Sequence, residues 1–596
     1  MDSLKVSPKI VVRQAQKEDA ALIAEVVCMA VGYDTSHPLY TVFKILAASD
    51  KTQYSYRNAL VADVGGAVAG AIVGYDGARL EELREPIFPL LEEHLGSVPE
   101  IEDETEAGEY YLDSLGVLPD YRGLGVGRAL LDAASRGAFA EGHSRVGLIV
   151  DVDNPRAEQL YTALGFVRVG QKRFLGHDMW HLQQFGEEYA GDTRFMARCR
   201  RQQARFRAEL GEPIRPYKGQ SREYYFGNYI AHGELSGKNF LEDYIFEHAR
   251  ERVRDKKPYE TINSDRLFNN LLSSQPMAFN LFCPLRRMLH ESPEVATRVI
   301  RSALPDYPIA RVTEVELEFI PDNYQRLTND RSAMDAIIRF DDDGGRRSFI
   351  AIETKYSENL GTNEASRRGR ARAREVIRSL GCFRPEVEER IEIGEHPEAE
   401  ERGECGRVRL TQIYRNFLLS EAHGRDIDAE AYSLILSPAE HPSTVRECAS
   451  LADELRPEYR FKLRSMSLET FVRGLIDASP EPYATTFKRF YDRYLIMRRI
   501  KITVMRITEY RDLMAQYENP IEHTCDMQLG HTFIVEQGRK PEAMCQSAWE
   551  TLQPFVEELA RGGGNFFDGW MQNPHSAMLS CNDGFRPVSF YVEVIE

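Results

Sequence analysis

Two apolar segments, SAMDAIIRF (residues 332–340) and SFIAIETKYSE (residues 348–358), constrain what this chain can fold into more than any other feature. A DDDGG turn separates them, and each carries charge inside a run that otherwise reads as strand. Phe349, Ile350, Ala351 and Ile352 mark a strand entering an interior, where an unpaired charge is costly. Asp335 and Glu353 stand seventeen intervening residues apart. Glu353 and Lys355 share a strand face because side chains alternate with period two. A carboxylate–x–lysine pair is usually a surface ion pair. In a buried strand it needs compensation, which a ligated cation supplies. Carboxylate oxygens are the ligands Mg2+ prefers, and such a cation activates water and stabilises phosphoryl transfer.

A second constraint lies near the N-terminus. In YYLDSLGVLPDYRGLGVGRALLDAA a strand (residues 110–117) meets a turn at Pro119 and Asp120 and then a glycine-rich helix entry. Arg122, Gly125 and Gly127 form R-x-x-G-x-G; alone, this could be only a tight strand–helix turn. Glycines let backbone approach a ligand closely, and the free amides of a first helical turn can hold phosphate oxygens. A further strand (146–150) follows, then Asn154, Ala157, Leu160, Tyr161, Leu164, Gly165 and Phe166. Ala157, Leu160, Tyr161 and Leu164 share a helix face, normally a core stripe; Tyr161 on that stripe could also donate a proton.

Together these elements resemble the GNAT acetyltransferase superfamily over about residues 10–185. The resemblance implies that the amides from Gly123 through Gly125, Val126, Gly127 and Arg128, beside Arg122, hold the acetyl-CoA pyrophosphate. It implies that backbone near Leu115 and Val117 pairs with the pantetheine arm, that Asn154 positions the cosubstrate, and that Tyr161 protonates the departing thiolate. Direct attack by a neutral amine needs a group to remove a proton. Glu109 and Asp113 are the candidates, each with a surface carboxylate as the alternative. Between the third and fourth strands, residues 81–109 hold eleven acidic residues against Arg84 alone. This reads as a solvated acidic face, or as a device attracting a cationic amine through long-range electrostatics involving Glu102, Asp103 and Glu104.

The D-(x)n-E-x-K pattern resembles the PD-(D/E)XK nuclease superfamily, and more narrowly a group of bacterial restriction endonucleases within it. The narrower likeness runs from about residue 221 to 497 through SSQPMAFNLF, IETKYSE and TQIYRNFLLS. It implies Asp335 and Glu353 as Mg2+ ligands and Lys355 as the group orienting the nucleophilic water. Gln412 would touch the scissile backbone or be a plain helix-surface residue. Met334 stands where the superfamily name implies proline. Beyond the E-x-K strand, Arg367, Arg368, Arg370, Arg372, Arg374 and Arg378 suit DNA phosphates. A second basic run, Lys488, Arg489, Arg493, Arg498, Arg499 and Lys501, interleaves Phe490, Tyr491 and Tyr494; charge runs are usually solvated faces.

Overall charge is −18, which on its face argues against a nucleic-acid partner. By segment it is −12 over residues 1–190, +1 over 191–500 and −7 over 501–596, so the acidity belongs to the flanks. No apolar run approaches the ~18 residues of a membrane span, and the N-terminal residues have no signal-peptide core. Nine dispersed cysteines without paired spacing argue against a disulfide framework or zinc module. A cytoplasmic protein without membrane partners is expected.

The last residues, with KPEAMCQSAWETL, RGGGNFFDGWM and CNDGFRPVSFYVEVIE, resemble a small bacterial family of unassigned function. Cys545, Cys581 and Cys525 there read as buried small residues; metal binding with His523 is the minority alternative. The expected architecture is α/β multidomain: a GNAT domain (1–185), an Arg-rich helical connector (186–218), a PD-(D/E)XK nuclease-like domain (219–498) and a small α+β domain (499–596). The expected function joins acetyl-CoA-dependent transfer to an amine acceptor with Mg2+-dependent cleavage of DNA, in a restriction or phage-defence setting. The alternative is an acetyl-CoA-sensing regulator, without turnover, fused to a DNA-binding or nuclease module. Homo-oligomerisation is left open.

Overall fold

The computed structural model describes residues 9–98, 100–220, 222–358, 367–387, 410–521, 525–536, 538–541 and 543–595, with backbone alone at 367–371. The chain separates into two compact units, residues 1–193 with 200–231, and residues 194–199 with 232–596.

The first unit is built on a seven-stranded sheet of β1 (Ile10–Gln14), β2 (Ala59–Val64), β3 (Ala67–Asp76), β4 (Tyr110–Val117), β5 (Val146–Asp151), β6 (Val167–Phe174) and β7 (His177–Gln184), in the order β1-β2-β3-β4-β5-β7-β6. Alternation sends Val61, Ala71 and Val73 to a core under the helices Ala20–Ala30 and Leu39–Ala47. Ala62, Ile72 and Leu112 go to a second core under the helix Val126–Ala140. The parallel strands β4 and β5 pair only at Tyr110–Val146 and Tyr111–Gly147. Past Tyr111 they diverge, and among the described residues the β5-facing edge of β4 has no strand partner from Leu112 to Val117.

The Arg-dense stretch forms the helix Arg194–Glu209. It is not simply a solvated connector. Arg207 is fully buried, donating to the carbonyls of Phe185 and Gly227 at 2.9 Å, of Ser144 at 2.7 Å and of Glu212. Burial pushes its guanidinium down to about 9. A short hairpin of β8 (Tyr217–Lys218) and β9 (Glu223–Tyr224) follows.

The second unit centres on β10 (Ile309–Phe319), β11 (Met334–Asp342), β12 (Arg347–Thr354), β13 (Glu430–Ser437) and β14 (Leu463–Ser467), adjacent in sequence order. The β10–β11 and β11–β12 pairs are antiparallel; β13 runs parallel to both β12 and β14. The β11–β12 turn is fixed locally. Asp342 Oδ1 accepts from the amides of Gly344 and Arg346 at 2.9 and 2.8 Å, and Gly345 takes the left-handed φ of +75°. Central β12 is buried from Ser348 to Thr354. The helices Ser274–Glu291, Pro293–Ala303, Leu468–Ala478 and Tyr483–Tyr494 cover one face, and Gln412–Asp426 packs on the other.

The aromatic residues of the second basic run are interior, but of its basic residues only Arg493 is buried, with Arg489, Arg498 and Arg499 exposed. Phe487, Phe490, Tyr491 and Tyr494 join the main core. Arg493 is buried and donates to Asn239 O at 2.7 Å and Asn239 Oδ1 at 2.5 Å.

The C-terminal part has its own sheet of β15 (Arg499–Ile507), β16 (Thr532–Val535), β17 (Ser576–Ser580) and β18 (Val588–Ile595), ordered β16-β15-β18-β17. The helix Gln546–Ala560 closes a separate small core over it. Arg561 pairs with Asp492 at 2.8 Å, tying this part to the helix Tyr483–Tyr494. Expected burial of the cysteines is corrected here: Cys525 and Cys545 are exposed and Cys581 is half-buried. His523 lies outside the described residues.

One buried histidine makes the second unit acid-sensitive. His423 lies against the rings of Phe319 and Phe349 at 5.4 and 5.6 Å, and neither ring nitrogen has a hydrogen-bond partner among the described residues. Burial pushes it down to about 4. A base depressed in the folded state stabilises fully above its unfolded value, near 6.5, and loses that contribution as pH falls toward 4. His423→Leu should therefore remove about 2–3 kcal/mol of the stability difference between pH 7 and pH 4.5. Chemical unfolding at both pH values checks this; an unchanged difference contradicts it.

Candidate active sites

In the second unit, strand register assembles the acidic residues. Ala336 pairs with Ile352 across β11 and β12, so one residue further Asp335 stands across from Glu353. Glu353 is 4% exposed and Lys355, just past β12, is 7% exposed. Lys355 Nζ donates to Glu353 Oε1 at 2.6 Å and to Gln412 Oε1 at 3.1 Å. Gln412 Nε2 donates to Glu353 Oε1 at 2.7 Å, and Asn416 Nδ2 to Glu353 Oε2 at 2.6 Å. Gln412 and Asn416 are four apart on one helix, so a single helix face grips both oxygens. Asp335 Oδ2 accepts from the backbone and hydroxyl of Thr354, both at 2.7 Å.

Burial pushes the carboxyls of Asp335 and Glu353 up; Asp335 adds to the effect at Glu353, and Lys355 opposes it at both. Burial disfavours the Lys355 charge, but Glu353 and Asp335 outweigh it and hold the ammonium above its usual range. Two further carboxyls flank the pair, Glu358 half-buried and Glu318 buried. Glu358 accepts from the amides of Ser274 at 2.8 Å and of Tyr356 and Ser357 at 3.2 Å, and stays below the usual range because Lys355 and these amides overcome its burial. Glu318 is pushed up by burial and by the charge of Asp335.

This donor set suits a hard divalent cation: buried carboxylates outnumber the one ammonium among them. Gln275 Oε1 and Asn416 Oδ1 are also buried acceptors without a partner among the described residues. As the side chains stand, each carboxyl is turned onto a protein donor. Among the described residues no group of three His, Cys, Asp or Glu could hold a metal in that arrangement.

In the first unit, the helix Val126–Ala140 opens at Gly125, whose φ of +90° is left-handed, as is Gly123 at +78°. Ala129 N closes the first turn onto Gly125 O, so the amides of Val126, Gly127 and Arg128 precede any intrahelical acceptor. Arg122 Nε donates to Val117 O at 3.1 Å. Asn154 caps the helix Pro155–Thr162 by accepting from Ala157 N at 3.1 Å. Tyr161 meets the edge of Phe166 at 6.1 Å, and burial pushes its phenol up to about 12.

The acidic insertion is only partly a solvated face. Glu104 is 2% exposed and pairs with Arg84, which also binds Asp103 at 2.8 Å. Glu104 Oε1 and Asp113 Oδ2 both accept from Gln53 Nε2, at 2.9 and 2.7 Å, and both lie 3.1 Å from the Tyr75 hydroxyl. Burial pushes both carboxyls up; at Glu104 the Asp113 charge adds to the shift. Asp113 Oδ1 also accepts from the Ser114 hydroxyl at 2.6 Å. Glu109 likewise has three donors, His181 at 3.0 Å and Thr105 and Gln183 at 2.7 Å, but here the bonds overcome burial and hold it low.

Of the arginines expected near DNA, the side chains of Arg367, Arg368 and Arg370 lie outside the described residues. Arg372 is engaged by its own chain, donating to Leu327 O at 3.0 Å and pairing with Glu375 at 2.6 Å. Sequence reasoning missed Glu318, Gln275, Asn416, Gln53 and Tyr75. Two carried a signal: Gln275 lies in the SSQPMAFNLF segment, and Asn416 stands four from Gln412.

Residues 190–496 match the family model of the PD-(D/E)XK nuclease superfamily. The chain belongs to that superfamily. Residues 33–166 match the acetyltransferase (GNAT) family and form a domain of that family ahead of the nuclease domain. Acetyltransferase SG1711 of Sodalis glossinidius is 30% identical over 127 residues, covering 21% of this chain and 68% of that protein. A mycothiol acetyltransferase of Frankia casuarinae is 37% identical over 98 residues, 16% of this chain and 25% of that protein. The chain thus spans about a quarter of the mycothiol acetyltransferases it matches. Among solved structures, an acetyltransferase at 32% identity covers 29% of this chain and 98% of its own, with a TM-score of 0.26. An N-acetyltransferase from Staphylococcus aureus Mu50 stands at 24% identity, 29% and 99% coverage, and TM-score 0.26. No helix among the described residues is long and apolar enough to cross a membrane.

Proposed function

We propose that the protein transfers an acetyl group from acetyl-CoA to an amine and hydrolyses DNA phosphodiesters with Mg2+, in a restriction or phage-defence role. The observation that carries the nuclease reading is the buried Asp335–Glu353–Lys355 arrangement gripped by Gln412 and Asn416. Asp335 and Glu353 would hold the cation. When bound, Mg2+ supplies water activation and charge neutralisation at phosphorus. The Lys355 ammonium orients the nucleophilic water and offsets charge developing on the phosphate. Gln412, engaged by both Glu353 and Lys355, keeps the two aligned. The arginines of the helix Arg367–Leu380 contact the DNA backbone, which makes affinity salt-sensitive and largely independent of sequence. Supercoiled plasmid should be nicked or linearised with Mg2+ and left intact with EDTA; no cleavage under any condition counts against this reading.

For acyl transfer, the free edge of β4 from Leu112 to Val117 receives the pantetheine amides, and the amides from Gly123 to Arg128 take the pyrophosphate. Asn154 holds the helix that carries Tyr161. Asp113, pushed up by burial and with Glu104 beside it, accepts the proton of the attacking amine; Glu109, held below the usual range by its donors, supports the strand instead.

A carboxyl raised in the folded state gains its charge, and so its basicity, as pH rises through the raised value. The kcat/KM of acetyl transfer should therefore climb above the usual carboxyl range. In Asp113→Asn it should be lower by roughly 10²-fold and lack that limb. A wild-type profile flat from pH 5 to 8 removes Asp113 as the base.

A further inference from the structure

We propose that Glu318, gripped by Gln275, is a third carboxylate ligand of the nuclease cation site; this rests on the metal-dependent reading above. In β10 and β11, Leu317 pairs with Ala336 and Phe319 with Met334, which sets Glu318 across from Asp335. Glu318, Asp335 and Glu353 thus come from three neighbouring strands at one level of the sheet. The charges of Asp335 and Glu353 both reach Glu318, and like charges so opposed are destabilising unless something offsets them.

Glu318 is 4% exposed, and among the described residues its carboxyl accepts a single hydrogen bond, from Gln275 Nε2 at 2.9 Å, while its carbonyl accepts from Arg252 at 3.1 Å. Its backbone is left-handed, with φ of +53°, unfavourable for a residue with a Cβ. That conformation breaks strand alternation and turns the carboxyl toward the first turn of the helix Ser274–Glu291. Gln275 Oε1, on the amide that holds it, is a buried acceptor with no partner among the described residues. The water shell of a bound cation would supply the missing donor.

Glu358 offers the contrast. Its oxygens are taken by three amides, with Arg266 at 3.5 Å, so it ties the strand end to the helix instead of facing a cation. The SSQPMAFNLF segment therefore divides its work: Ser274 holds Glu358, and Gln275 holds Glu318.

The test is Mn2+ binding by the full chain, read by electron paramagnetic resonance, with apoprotein melting recorded in parallel. In wild type one tight population is expected, and Glu353→Gln should remove it. Glu318→Gln should weaken it about tenfold or more, Gln275→Leu, which only loosens the positioning, by less, and Glu318→Asp should recover part of the affinity. Apoprotein melting should not fall in Glu318→Gln, because one of the opposed charges is gone. Wild-type Mn2+ affinity in a folded Glu318→Gln, alongside loss in Glu353→Gln, overturns the role of Glu318 alone. Wild type without tight Mn2+ binding, or Glu353→Gln without effect, overturns the metal site itself.

Discussion

Lys355→Met should reduce Mg2+-dependent plasmid cleavage by roughly 10²–10³-fold, the loss typical of removing one positioned charge stabiliser from a transition state. Methionine keeps most of the volume and removes the ammonium. DNA affinity, which the proposed function assigns mainly to the arginines, should change little. The side chain is 7% exposed and hydrogen-bonded to Glu353 and Gln412, so its charge is fixed before any substrate arrives. Such preorganisation is what makes a charge effective at the reacting atoms. Losing the ammonium also leaves Glu353 and Asp335 without a protein counter-charge, so Mg2+ should raise the melting temperature more in Lys355→Met than in wild type. Gel quantification of nicked product and melting with and without Mg2+ read both effects. Cleavage at the wild-type rate by a folded Lys355→Met would remove this residue from the mechanism.

Tyr161→Phe should lower kcat for acetyl transfer by roughly 10²-fold, the lower end for a positioned acid, with little change in KM for acetyl-CoA. Its phenol, pushed up to about 12, stays protonated throughout the neutral range. A thiol has an ordinary pKa of about 8.5, so complete proton transfer from this phenol to the thiolate is uphill. In the proposed mechanism the group therefore acts by donating a hydrogen bond to sulfur as negative charge develops, without complete proton transfer. The pH profile should show no alkaline limb from Tyr161 below pH 10, and the carboxyl limb assigned to Asp113 should survive the substitution. A standard thiol-release assay separates kcat from KM. Equal kcat in Tyr161→Phe would transfer the role to water.

Much of both sites was legible in the sequence because it resides in short, local patterns. The R-x-x-G-x-G turn needs left-handed backbone at Gly123 and Gly125, and both have it. The E-x-K pair lies where β12 ends, with Gln412 reaching it from the helix Gln412–Asp426. The missing parts come from residues whose neighbours in space are remote in sequence. Gln53, Tyr75 and Glu104 meet Asp113 only through the fold of the insertion and the β3–β4 pairing. One member of the second basic run departs from a solvated face for a related reason: Arg493 sits among charges in sequence, yet its guanidinium is paired inside the core with Asn239, over 250 residues earlier.

The sequence by itself determined the chemistry of each strand and turn: which residues are charged inside apolar runs, where glycine permits a left-handed turn, and which helix face carries Tyr161. These depend on periodicity and backbone sterics, which act within a few residues. Only the tertiary structure decided which carboxyls face one another and which are satisfied. Glu109 and Glu358 are held below the usual range by their donors, whereas Asp113, though bonded by Gln53, Tyr75 and Ser114, is pushed up by burial, and the Glu318 carboxyl has one donor. Burial and opposed charge set proton affinity and the demand for a cation, and both are properties of register and packing that span the whole chain.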